Sequence, residues 1–319
     1  MTLAIKRKSK VYEVSERRAS FFSTAQMNKT PRSRDGAMYV NQYKIIKTLG
    51  QGSFAKVKLV QDSETMEYYA MKQINKTVLK NKIIYNDQNA YMCIMEELKV
   101  LKTLEHPNVI YLHEIIDDPD KDHLFIITQY FSKGSLNDIV EAKNEQYEDF
   151  NDDCLDEDRP EDRIFVGLKM SEARLYFCDL LKALHYCHNV VQLIHRDIKP
   201  ENIVVNHNNE AVLIDFGISY LQRDSSIDLF KQTMGTKLFY SPEMWLKQLD
   251  TAGQELEVDH KLSDIWALGV SFFIVMTGQY PFIESPKSLE QLKKSILHDD
   301  VNYNLIKNER AREVMQGML

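Results

Sequence analysis

His195-Arg196-Asp197-Ile198-Lys199-Pro200-Glu201-Asn202 is followed, thirteen residues after its asparagine, by Asp215-Phe216-Gly217. An accidental match to both patterns at this separation is very improbable. The two stretches deliver a carboxylate beside a lysine, then a side-chain amide, then a second carboxylate. Carboxylate and amide oxygens are hard donors suited to Mg²⁺, and a carboxylate next to a reacting hydroxyl takes up its proton. On that chemistry Asp197 orients a hydroxyl, Asn202 and Asp215 ligate the metal, and Lys199 neutralises a phosphoryl group in transit.

Phosphoryl transfer also asks for a phosphate cradle and a second cation. The cradle is Gly50-Gln51-Gly52-Ser53-Phe54-Ala55-Lys56-Val57, between the first two predicted strands. Bare positions let backbone N–H groups approach phosphate oxygens closely. The same glycines also suit a plain hairpin turn, and Ala55 stands where a third glycine would complete the pattern. The cation is Lys72, in Ala70-Met71-Lys72 on the third predicted strand, with Glu97 of the following helix as its carboxylate partner. Glu96 points about 100° away on a helix and does not replace it.

With 319 residues, 44% hydrophobic and 27% charged, the chain reads as a globular protein of two lobes or domains. The longest apolar stretch, residues 266–276, is interrupted by Ser271 and falls below the roughly 18 residues a bilayer span needs, so no membrane span is expected. A basic start after a very short apolar patch is the wrong order for a secretory signal, and a cytoplasmic location is expected. The four cysteines have neither C-x-x-C spacing nor scaffold density, which predicts free thiols. Histidine spacing gives no zinc site.

The net charge of −7 divides unevenly, because residues 1–40 hold nine Lys/Arg against three Asp/Glu, leaving −13 for the rest. Nucleic-acid binding through the body is disfavoured, since phosphate backbones are held by basic faces. The basic arm, residues 1–40, has the charge to touch acidic partners or anionic lipid, but it is read first as a solvated, mostly disordered tail.

Alternating runs predict antiparallel strands over residues 43–49, 55–60 and 67–72. A helix follows, with Met95, Leu98, Leu101 and Leu104 at spacings of three, ending before His106-Pro107. Strands are expected over residues 109–116 and 123–130, flanking the turn-rich Asp117-Asp118-Pro119-Asp120, then a short helix over 136–142. Residues 141–163 hold eleven Asp/Glu against three Lys/Arg and are expected to form a flexible insertion. Helical periodicity returns over 173–187 and 264–277.

Taken together, residues 43–319 resemble the eukaryotic protein kinase superfamily. Thr236 before Ser241-Pro242-Glu243, and Asp264-Ile265-Trp266-Ala267-Leu268-Gly269 later, extend the likeness. Lys199 in the catalytic loop resembles the serine/threonine type. The resemblance implies an α+β, bilobal fold: a small antiparallel-sheet lobe with one key helix and a hinge over residues 41–131, and a larger, mainly helical lobe over 132–319. It implies ATP and Mg²⁺ as cofactors, and catalytic Asp197, Lys199, Lys72 and Glu97. The implied ATP contacts are Gly50, Gln51, Gly52, Ser53, Phe54, Val57, Ala70, Lys72, Thr128, Gln129, Phe131, Glu201 and Val204. Among them Gln129 and Phe131 meet adenine through the backbone, Val57, Ala70 and Val204 sandwich it, and Thr128 is the gatekeeper. Leu101, Leu112, His195 and Phe216, anchored by Asp264, resemble the family's regulatory spine.

Arg196 beside Asp197 implies control by phosphorylation of the activation segment, with Thr233 the first candidate and Ser225 and Ser226 after it. Arg17-Arg18-Ala19-Ser20 has the basic spacing that resembles a site for cyclic-nucleotide-dependent kinases and makes Ser20 a further candidate. Residues 104–109 (Leu-Glu-His-Pro-Asn-Val), 115–124 (Ile-Ile-Asp-Asp-Pro-Asp-Lys-Asp-His-Leu) and 170–180 are similar to the calcium/calmodulin-dependent protein kinase kinase group. That likeness implies protein substrates that include other kinases. A calmodulin-binding tail, if the group's plan holds, lies beyond Leu319. The last residues resemble the start of a late helix of the family, so a fragment is expected, with Glu243 lacking its usual arginine unless Arg310 or Arg312 substitutes. A pseudokinase scaffold is the alternative reading, disfavoured because Lys72, Glu97, Asp197, Asn202 and Asp215 are all present. A P-loop NTPase is excluded by the absence of G-x-x-x-x-G-K-[ST].

Overall fold

The alternation read in the first half builds a sheet. The computed structural model describes residues 22–24, 36–51, 55–81, 83–85, 88–151, 167–216, 220–221, 236–246, 258–283 and 286–319. In chain order the small lobe contains β1 (Phe22–Thr24), β2 (Tyr39–Val40), β3 (Tyr43–Gln51), β4 (Ala55–Asp62), β5 (Tyr68–Asn75), α1 (Lys76–Asn81), β6 (Ile83–Tyr85), β7 (Gln88–Asn89), α2 (Ala90–Leu101), β8 (Leu112–Asp117) and β9 (His123–Gln129). One seven-stranded sheet runs β1-β8-β9-β5-β4-β3-β2. All its neighbours are antiparallel except β1, which pairs in parallel with β8.

Because side chains alternate faces along a strand, the register sorts the sheet into two sides. Val57 lies opposite Lys72, and Ala70 opposite Thr128. These four therefore share one face, with Leu112, Leu124 and Ile126, which pack against Leu98 of α2 and Leu79 of α1. Val60, Met71, Phe125 and Ile127 fill the other side. The continuous apolar run Leu124 to Ile127 is buried on both faces, as expected of a central strand.

The large lobe carries α3 (Leu136–Asn151), α4 (Met170–His185), β10 (Leu193–Ile194), β11 (Ile203–Val205), β12 (Ala211–Leu213), β13 (Tyr220–Leu221), α5 (Pro242–Trp245), α6 (His260–Thr277), α7 (Leu289–His298) and α8 (Glu309–Gln316). Its core gathers around α6, whose Leu268, Phe272 and Phe273 are almost fully buried, and α4, which contributes Leu180 and Leu184. Asp259 caps α6 by accepting from the Lys261 N–H. Gly278, at φ 74°, closes it with an N–H to Ile274 O; such a left-handed closure suits glycine. Leu101 packs against both the α2-side cluster and the large-lobe core, so the join is apolar. Residues 108–110 also cross it, since Ile110 N–H donates to Leu213 O and the Asn108 amide to Ala211 O.

Within the arm, expected to be mostly disordered, Phe22–Thr24 forms an edge strand on β8. Two local expectations are corrected. The helix read through Leu104 ends at Leu101, and Leu104 reaches the core from the turn beyond it. The acidic stretch begins as helix, because α3 runs on to Asn151. Composition missed this extension because α3 is nucleated upstream by a reciprocal cap. Ser135 N–H donates to Asp138 Oδ2, while Asp138 N–H donates to Ser135 Oγ.

Candidate active site

The catalytic loop is set up by an irregularity at the end of α4. Past His185 the chain widens into a π-helical turn, Tyr186–Val191, which ends at Gln192 with φ 59°. Such widened turns occur often at functional sites. Here it brings His188 Nε2 to 2.8 Å from Asp264 Oδ2. The same oxygen accepts the backbone N–H of His195 at 2.9 Å, and Oδ1 accepts that of Arg196 at 2.8 Å. Burial pushes Asp264 toward the neutral acid, but the His188 hydrogen bond and charge hold it below the usual carboxylate value. Arg196 and Asp215 have φ 69° and 58°. A left-handed backbone costs about 1–3 kcal/mol at each non-glycine residue and is kept where surrounding contacts fix it.

His195 is fully buried and edge-on to Phe216, with ring centroids 4.6 Å apart. Its Nε2–H donates to Ile214 O at 3.1 Å, and Nδ1 accepts from Asp197 N–H at 3.3 Å. That assignment requires a neutral ring, which agrees with burial lowering its pKa. The ring thus joins the loop bearing Asp197 to the one bearing Asp215.

Asp197 is the centre of the site. Its Oδ1 accepts the N–H and hydroxyl of Thr236 at 3.2 and 3.0 Å, and Oδ2 accepts the Asn202 amide at 2.9 Å. Lys199 Nζ lies 2.8 Å from Asp197 Oδ2 and 2.7 Å from Thr236 Oγ1. The Asn202 amide nitrogen is committed to Asp197, also reaching its carbonyl at 2.8 Å, which leaves the amide oxygen as the end able to face a cation.

Across the cleft, Lys72 Nζ lies 3.1 Å from Asp215 Oδ1. Burial opposes ionisation of Asp215, but the Lys72 charge and hydrogen bond hold its carboxyl below the ordinary value. Val57, Ala70 and Thr128 stand half-buried on the same sheet face as Lys72, and Val204 is buried on β11 below. Gly50 lies opposite Val57 and Gln51 opposite Lys56 where β3 turns into β4. Gln129 ends β9, with Phe131 packed on the large-lobe core and Glu201 exposed beside Asn202.

Residues Gly52, Ser53 and Phe54 lie outside the described residues, as do Ser20, Ser225, Ser226 and Thr233, and the Glu97 side chain on α2. Thr236, Asp264 and His188 were absent from the sequence-derived catalytic set. Thr236 was visible only as a neighbour of Ser241-Pro242-Glu243, and His188 carried no signal because its role depends on the π turn. Glu243 is half-buried, with Ser263 Oγ 3.4 Å from Oε1. The guanidinium of Arg312, one of the two possible substitutes for the usual arginine, donates to Ile306 O at 3.0 Å.

A carboxylate pair, an amide oxygen and two lysines gathered between the lobes are what a metal-bound polyphosphate requires. The family model of the protein kinase domain matches residues 43–319. The chain belongs to the protein kinase domain family. This kinase is similar to the serine/threonine-protein kinase ssp1 of Schizosaccharomyces pombe, 36% identical over 292 residues, which cover 89% of this chain and 40% of that protein. It is also similar to the calcium/calmodulin-dependent protein kinase kinase of Caenorhabditis elegans, 30% identical over 299 residues, or 88% and 49% of the two. To serine/threonine-protein kinase GRIK1 of Arabidopsis thaliana it is 28% identical over 300 residues, or 93% and 67%. The kinase spans less than half the length of the first two relatives.

Proposed function

We propose that this kinase transfers the γ-phosphoryl group of ATP to serine and threonine hydroxyls of protein substrates, and that other kinases are among those substrates. The observation that carries the reading is the closed network of Asp197, Lys199 and Thr236. It holds a carboxylate and an ammonium side by side, with a hydroxyl bridging them. When bound, magnesium nucleotide supplies the electrophilic phosphorus and spreads charge over its oxygens.

The chain's residues do the rest. Asp197 orients the substrate hydroxyl and receives its proton as the new O–P bond forms and the bond to the ADP oxygen breaks. Lys199 offsets the negative charge moving between them, and Thr236 keeps both side chains in register. Asn202 and Asp215 offer the amide and carboxylate oxygens that suit Mg²⁺. Lys72 serves as the second cation for the phosphates, and Glu97 of α2 is the carboxylate assigned to it.

Action on other kinases is supported by the likeness of residues 104–109, 115–124 and 170–180 to the calcium/calmodulin-dependent protein kinase kinase group, and by the name of the nematode relative. Control by an upstream kinase at Thr233, or at Ser225, Ser226 or Ser20, belongs to the same proposal, as does a cytoplasmic location, for which the free thiols of Cys178 and Cys187 speak. The test is a transfer assay with a catalytically dead protein kinase as substrate. The reading expects label on a serine or threonine of that kinase's activation segment. Label absent there, yet present on a generic basic peptide, would remove the upstream role and leave the activity.

A further inference from the structure

The acidic turn Asp117-Asp118-Pro119-Asp120 has no part in the chemistry above, yet it is tied to the small lobe by an unusual set of bonds. Asp117 ends β8 and presents both oxygens inward. Oδ2 accepts the phenol of Tyr91, in the first turn of α2, at 2.7 Å. Oδ1 accepts Lys76 Nζ at 2.9 Å, and the same ammonium donates to Asp118 O at 2.6 Å. Lys76 is only 3% exposed, and its own N–H donates to Asp122 O at 2.8 Å. From the other side Lys80 Nζ stands 5.1 Å from the centre of the Tyr91 ring, a cation–π distance. Tyr91 is therefore held at its hydroxyl and over its ring.

We propose that Tyr91 and Asp117 are positioning residues that fix the rotation of α2, and through it the reach of Glu97 toward Lys72. This inference rests on the role given to Glu97 above. Among the described residues, the other contacts of α2 with the sheet-side cluster include the apolar Ala90, Ile94, Met95, Leu98 and Leu101. Apolar burial is non-directional, so it holds the helix down without setting its phase. Phase matters here because Glu96 and Glu97 occupy neighbouring positions about 100° apart on the helix, so the role given to Glu97 depends on the rotation of α2. A short hydrogen bond to an ionised acceptor is directional and among the stronger ones. Burial and the Asp117 carboxylate push the Tyr91 phenol up to about 12, so it remains a donor across the physiological range. The anchor itself is rigid: Asp118 Oδ1 accepts Asp120 N–H, and Thr77 Oγ1 donates to Asp122 Oδ1.

The experiment measures kcat and KM for ATP, with thermal midpoints, for the full chain and for Tyr91→Phe, Glu97→Gln and the double variant. Loss of one charge-assisted bond predicts that Tyr91→Phe lowers kcat/KM for ATP roughly fivefold while remaining folded. In the Glu97→Gln background the same change then has no further effect. An equal fivefold loss in both backgrounds would mean that Tyr91 acts independently of Glu97 and would overturn the proposal, as would an unchanged Tyr91→Phe enzyme. Full activity of Glu97→Gln alone would instead sink the underlying role of Glu97, and with it this inference. Should Tyr91→Phe fail to fold, the pair Asp117→Asn and Glu97→Gln reads the same coupling.

Discussion

Asp264 Oδ1 accepts the backbone N–H of Arg196 at 2.8 Å, although the two residues lie far apart in the chain. With His195 N–H and His188 Nε2 on its other oxygen, this buried carboxylate fastens the catalytic loop to the core helix α6. Removing one partner of a buried charged network costs about 3–5 kcal/mol. Asp264→Ala is expected to lower the urea midpoint by an amount of that order. Asp264→Asn, which keeps one acceptor oxygen, is expected to lose less. Equal midpoints for wild type and Asp264→Ala would show that the loop holds itself.

The same network predicts how stability depends on pH. Burial lowers the His195 pKa below its ordinary 6.5, so folded and unfolded chains bind equal protons there at higher pH. As pH falls below about 6.5 the unfolded chain takes up a proton that the folded one refuses, and stability declines. Asp264 and Asp215, both held low in the fold, add a second decline as pH drops below about 4. The urea midpoint at pH 5.5 should lie below that at pH 7.5, and the difference should shrink in His195→Phe.

Thr236 bridges Asp197 and Lys199 through one hydroxyl. Thr236→Ser keeps that oxygen and should retain most activity, whereas Thr236→Val, of the same shape, should lower kcat about tenfold or more with little change in KM for ATP. A Thr236→Val enzyme with normal kcat would show the bridge to be incidental.

Gly167 offers a test of packing away from the cleft. A Cβ built there would sit 2.1 Å from Met276 O, a backbone atom of α6 that cannot swing aside. Gly167→Ala should destabilise the fold by about 1–3 kcal/mol, seen as a lower thermal midpoint with kcat for the remaining folded enzyme unchanged. A midpoint equal to wild type would mean that residues 167–169 and α6 part easily.

The parts of this fold legible in the sequence were those written in local pattern. Residues 43–49, 55–60 and 67–72 read as strand-like runs, and β3, β4 and β5 follow them closely. Asp197, Asn202 and Asp215 were legible because fixed short spacings encode a loop. What escaped depends on contacts between distant residues. Thr236 reaches Asp197 across the whole activation segment, and His188 reaches Asp264 only through a π turn that periodicity cannot signal. The extension of α3 into an acidic run was hidden because its cap lies upstream, at Ser135 and Asp138, while composition speaks only of the run itself. Asp117 was read only as part of a turn-rich stretch, and Tyr91 was given no role.

Phosphate transfer through Asp197 is tested most directly by incubating the full chain with magnesium and γ-labelled ATP, offering peptides that differ only in carrying serine, threonine or tyrosine, beside the Asp197→Asn variant. Label should enter the serine and threonine peptides and not the tyrosine peptide, and should fall about a thousandfold in the variant. Equal labelling by wild type and Asp197→Asn, or no labelling by either, would contradict the assignment of this cleft.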